Sequence, residues 1–169
     1  MLKKIFLAAL VAAPLCLSAQ VKLGYVNSQE IFNVMPEKAT AENTLKTVSD
    51  KYETEYKNLQ NAFQEKLKKY ETEAQDTTVP DAIKERHQQE LQEDYTKIQN
   101  FQQTASQDIQ KQQETLLAPI SQKLQNAIQA VGAEGGFTFI YDLSIPAIVY
   151  TGTGAEDVSA KVKAKLGIK

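Results

Sequence analysis

Few residues in this chain could do chemistry, and they stand apart from one another. His87 is the one histidine and Cys16 the one cysteine among 169 residues, whereas a structural zinc site draws about four ligands from those types. His87 lies four residues from Ile83 and four from Leu91, on an apolar stripe. A general base there would need a converging nucleophile or second carboxylate and a pocket that excludes water, so it reads as a seam residue. Glu71, Glu73, Asp76 and Asp81 lack the spacing of a calcium loop and read as a solvated face. Asp142, at the end of a predicted strand, reads as a turn or cap residue. Gly152-Thr153-Gly154 is missing the third glycine of a dinucleotide fingerprint, and no Walker-type phosphate loop occurs. The chain is therefore expected not to be an enzyme, with no catalytic residue, no cofactor and no metal. Its formal charge of −2 speaks against a nucleic-acid partner, which calls for a basic excess.

The side chains left to bind something are aromatic. Tyr52, Tyr56, Phe63, Tyr70, Tyr95 and Phe101 are bulky for a seam between two helices. Either they hold the helices together, or rings spilling to one side make a low-affinity apolar lining that touches a partner. The elements around them decide what they can reach.

Residues 1–19 read as a secretory signal: Lys3 and Lys4, then the apolar run Ile5–Leu17, then Ser18-Ala19 before a cut ahead of Gln20. The run is too short to span a bilayer as a helix; a retained anchor or a lipidated Cys16 is the competing reading. Cleavage would remove two of the 19 basic residues, leaving 17 against 21 acidic ones, and would remove the cysteine. An exported chain without thiols has no disulfides to lean on, so helix packing or oligomerisation must stabilise it.

Val21–Val26 alternates like a strand, with Asn27 or Ser28 able to cap a helical turn over Gln29–Met35. From residue 36 to 131 the chain is rich in Glu, Lys, Gln and Ala, the helix formers. Leu45, Val48, Tyr52, Tyr56, Leu59, Phe63, Leu67, Tyr70 and Ala74 recur at steps of three and four, keeping one face apolar without a supercoil. A second stripe runs Ile83, His87, Leu91, Tyr95, Ile98, Ala105, Ile109, Leu116, Ile120, Leu124, Ile128, Val131. The break at 76–80 suits a turn, with Thr78 capping the second helix, Asp81 answering it and Pro80 in the first turn. The helices should fold back antiparallel, bringing Phe63 near Glu93–Tyr95, Leu67 near Gln89–Leu91 and Tyr52 near Thr104–Ala105. Forty residues give a rod of about 60 Å. Glu42–Lys46, Glu53–Lys57, Glu65–Lys69 and Glu93–Lys97 are spaced for acid-first pairs along the exposed face. Thirteen glutamines between Gln88 and Gln129 leave the second helix polar over much of its girth. Pro119 is expected to kink it where the hairpin leaves the body.

That body comes from the chain ends, residues 20–35 and 132–169. Gly132, Gly135 and Gly136 close the long helix, Phe137–Tyr141 and Ala147–Tyr150 read as strands, and Asp157 caps a last helix through Val158, Val162 and Leu166. So few residues are near the lower limit for a stable lone core, and two or three strands leave open apolar edges. The fold class is α+β, mostly α: a long, coiled-coil-like helical hairpin on a small β-body shared between subunits. Val21, Leu23, Tyr25, Val26, Ile31, Phe32, Phe137, Phe139, Ile140, Ile148 and Tyr150 are the candidate oligomerisation residues.

The order of these features resembles the Skp/OmpH family of periplasmic chaperones: strand 21–26, Asn27, Ile31-Phe32, the charged hairpin, Leu116–Ile120 with Pro119, Ala127-Ile128, Val131, Gly136–Asp142, Tyr150, Asp157-Val158-Ser159 and Leu166. The resemblance implies a periplasmic homotrimer whose three hairpins hang like tentacles around a cavity. Unfolded outer-membrane proteins would be held there without ATP. One feature departs from the family's basic members. In residues 66–86, Lys66, Lys68, Lys69, Lys84 and Arg86 are balanced by Glu71, Glu73, Asp76, Asp81 and Glu85, which speaks against contact with lipopolysaccharide or a membrane surface. The competing function is a helical-hairpin adaptor of the cell envelope that docks on one specific partner.

Overall fold

The computed structural model describes residues 21–168; the expected export signal lies outside them. Strand β1 (Leu23–Val26) leads into helix α1 (Ser28–Asn33). Asn27 is its cap: the side-chain oxygen accepts from Glu30 N–H at 3.2 Å, and its amide donates to the Glu30 carboxylate at 2.8 Å. Pro36 then opens α2 (Pro36–Gln75), where its missing N–H costs nothing.

The turn departs from expectation. Helix α3 (Asp81–Gly135) starts at Pro80 with no side-chain cap. Thr78 faces backwards instead: its N–H and hydroxyl donate to Asp76 Oδ1 at 2.8 and 2.6 Å, a local Asx turn that outcompetes the capping box. At its other end α3 closes on Gly136, with φ of 65°, as Gly136 N–H meets Ala133 O and Phe137 N–H meets Gly132 O. That left-handed position is where glycine is needed.

β2 (Phe139–Asp142), β3 (Ala155–Asp157) and α4 (Ser159–Lys165) complete the chain. The sheet order is β2-β1-β3 with both pairings parallel. A parallel pair needs a crossover connection, and between β1 and β2 that crossover is the entire hairpin. The strand expected at Ala147–Tyr150 does not form. The chain turns about Pro146, with Ala147 N–H bonded to Ile145 O at 2.7 Å, and no strand partners that segment. The third strand lies later, fixed by Val158, which is fully buried and donates its N–H to Tyr25 O at 3.0 Å. Asp157 keeps part of its expected role, accepting from Ser159 N–H at 2.8 Å.

One buried cluster joins the sheet to the hairpin's root. Val26, Ile31, Met35, Val158 and Val162 from the chain ends meet Ala41 of α2 and Ile120, Leu124, Ala127 and Val131 of α3. α3 runs unbroken through Pro119, which is exposed beside Ile120, the first residue that α3 gives to that cluster.

Candidate functional site

Two surfaces stand out, one on the hairpin and one on the sheet. Along α2 the half-buried positions are those of the expected stripe, from Leu45 through Tyr70. At the far end Glu73 takes the place of Ala74, and on α3 Ile83 and Tyr95 are exposed while Lys84 and Asp94 turn inward. Polar pairs explain the exchange. Glu73 meets His87, and Asp94 meets Lys66 across the seam. Glu37 with Lys123 and Tyr52 with Asp108 continue the series towards the root. In all four the two residue numbers add to the same total, so the register holds over the whole length of α2.

Between these pairs lie the aromatics. Phe63 and Tyr95 stand 6.3 Å apart, as expected. Tyr52 lies 5.8 Å from Phe101 and donates to Asp108 Oδ2 at 2.8 Å, straddling the expected 104–105. Gln112 donates to the same carboxylate at 2.6 Å. The Asp108 hydrogen bond, with some burial, raises the Tyr52 pKa above its ordinary value, so the phenol stays protonated. Tyr52, Tyr56, Phe63, Tyr70 and Phe101 are half-buried and Tyr95 is 49% exposed. Beyond Ala105, towards the tip, no described residue of either helix is fully buried. The rings thus brace the helices and still present part of each face to solvent.

Charge along the outer face settles differently from the expected pattern. Glu53–Lys57 forms, but Glu42 pairs back to Lys38, Lys46 pairs with Asp50 and Lys69 with Glu73. Exposed pairs differ by so little energy that neighbours decide among them.

The sheet presents one covered and one open face. Gly24 and Val26 are buried against the helices, and a Cβ on Gly24 would lie 3.1 Å from the Phe137 ring. Leu23 pairs with Phe139 and Tyr25 with Tyr141 on the other side. There Phe139 is 56% and Tyr141 41% exposed, with ring centres 6.1 Å apart. Val21, Ile145, Val149 and Tyr150 are also exposed, outside the three strands. Of the expected oligomerisation residues, Val26 and Ile31 lie inside the chain's own core, and Phe32, Phe137 and Ile140 pack on it. Leu23, Tyr25 and Ile148 are half-buried, while Val21, Phe139 and Tyr150 are open. Tyr141 was missed on the open side, although period-two alternation from Phe139 points to it.

The chemistry-bearing residues hold structure. Asp142 accepts from Ser28 N–H and Ser144 N–H, each at 3.0 Å, and from the Ser28 hydroxyl. Burial pushes its pKa up, but these hydrogen bonds outweigh that and hold it below the ordinary value. Among the described residues no three His, Cys, Asp or Glu side chains could hold a metal together, and no helix is long and apolar enough to cross a membrane.

No curated protein matches the sequence. A crystal structure described as that of an outer membrane chaperone (OmpH-like) from Caulobacter crescentus superposes with a TM-score of 0.74 at 18% identity, over 85% of this chain and 82% of that one. The two share a fold. The family model for outer membrane protein (OmpH-like) matches residues 22–166, and by that match over most of its length the chain belongs to the OmpH-like family.

Proposed function

We propose that this protein is an ATP-independent holdase of the periplasm, exported through its signal and assembled as a homotrimer. Three hairpin arms would enclose a cavity that receives unfolded outer-membrane β-barrel proteins. One observation carries the reading: the same chain has an arm without a sealed core beyond Ala105 and a sheet with an uncovered aromatic face. Open apolar patches of that kind mark association surfaces, and copies meeting there would fix the roots of several arms side by side. The family membership and the fold shared with a protein described as a chaperone support the same reading.

The physics of holding follows from the arms. An unfolded barrel strand exposes alternating apolar side chains and aggregates through its edges. Half-exposed rings at Tyr52, Tyr56, Phe63, Tyr70, Tyr95 and Phe101 offer many marginal contacts, whose sum through multivalency gives useful affinity. Each contact exchanges fast, so the client leaves without nucleotide. The balanced charge of the tip leaves lipopolysaccharide and membrane surfaces outside the proposed partners.

Light scattering tests this directly. A barrel protein diluted from urea should scatter less with the assembled protein in molar excess; unchanged aggregation would overturn the holdase reading.

A further inference from the structure

Near the tip, His87 joins the two helices and its own chain neighbour. Its Nδ1 lies 2.6 Å from Glu73 Oε2 on α2, and its Nε2 lies 3.1 Å from Arg86 Nη2. A guanidinium has only N–H groups to offer. The Arg86 contact therefore exists only while His87 Nε2 keeps its lone pair, which places the ring proton on Nδ1, donated to Glu73. Arg86, His87 and Glu73 form a directed chain that only the neutral ring completes.

The surroundings supply the alternative. From α2, Lys66, Lys69 and Tyr70 face the ring; from α3, Glu90 does. Lys66 is engaged by Asp94, and Lys69 reaches Glu73 at 3.6 Å. Arg86 Nε already lies 3.4 Å from Glu90 Oε1. A second proton on the ring would put an N–H on Nε2 against the N–H of Arg86, two cationic donors with nothing between them. The Glu73 contact would instead become charge-assisted and stronger.

The geometry points to a proton-operated exchange of partners at the arm's tip: neutral His87 bridges Glu73 and Arg86, and protonated His87 keeps Glu73 while Arg86 departs to Glu90 and solvent. Protonation of the ring would give a charge-balanced tip an imidazolium and a freed guanidinium. This does not depend on what the arms hold.

Nuclear magnetic resonance on the assembled protein tests it, following the Arg86 Nε–H and the His87 ring from about pH 8 to pH 5. The Arg86 signal should move with the midpoint of the His87 ring. H87Q, whose amide can donate to Glu73 and accept from Arg86 at every pH, should abolish that movement. An Arg86 signal that ignores the His87 midpoint, or that titrates unchanged in H87Q, would overturn the exchange.

Discussion

The two ends of α3 are built from one continuous helix and live under different rules. At its root, Ile120, Leu124, Ala127 and Val131 are buried with Val26, Ile31 and Val162 of the body. Towards the tip the same helix has nothing fully buried and is matched to α2 by rings and polar pairs. The root is stabilised by removing apolar surface from water, at roughly 25 cal/mol per Å². The tip relies on contacts each worth about 1.5 kcal/mol or less. Under the proposed function, stability and recognition would be separated along a single rod: the root is sealed, and the part proposed to meet varied clients is half-open. Local opening should therefore begin at the tip.

Substitutions can break or sharpen that contrast. The largest effect is expected at Ile31, which is 0% exposed. Ile31→Ala should lower stability by about 2–5 kcal/mol, and circular dichroism melts should show the body and hairpin root lost together. Gly135→Ala comes next. Its Cβ would stand 2.4 Å from the Phe137 ring, and that ring also carries Lys22 Nζ at 4.1 Å, with Lys22 donating to Gly135 O. Displacing the ring should cost about 1–3 kcal/mol in denaturant unfolding.

Asp142→Asn, which weakens the clamp on Ser28 and Ser144, should cost about 1–2 kcal/mol. It also has a pH signature. Because the folded carboxyl sits below its ordinary 3.8, its contribution is whole above that value and vanishes as pH falls through the lower folded one. Acid unfolding of the variant should lack that limb. Phe63→Ala should remove a ring pair worth about 0.5–1.5 kcal/mol and speed amide hydrogen exchange in the arm, with the body's melting point unmoved. The smallest change belongs to Glu53→Gln, which breaks an exposed pair with Lys57 and should shift stability by no more than about 0.5 kcal/mol.

The same contrast explains what the sequence made legible. Period-3.6 reading of α2 placed every half-buried residue from Leu45 to Tyr70, because in a two-helix rod burial has one direction and periodicity reports it directly. The same reading failed at Ala74 of α2 and Tyr95 of α3, where Glu73 and Asp94 turned inward to meet His87 and Lys66, since apolar patterning is blind to cross-seam charge. In the body, β propensity marked Ala147–Tyr150, yet β3 formed at Ala155–Asp157. A strand of three residues is positioned by the burial of Val158 and a hydrogen bond to Tyr25, tertiary terms that no local window contains. The open face of the sheet was visible as an excess of Phe, Tyr and Val in too small a body and as the alternation of Phe139 with Tyr141. Which of those residues face outward depended on the register of Leu23 with Phe139.

Whether further copies of the chain cover that open face decides between an assembly of arms and a lone subunit. Sedimentation equilibrium of the chain without residues 1–19, at micromolar concentration, reads this most directly. Three copies in one folded particle, falling apart when Phe139 and Tyr141 are both changed to Ser, is the predicted result. A well-folded lone subunit with its aromatic sheet face in water would contradict it.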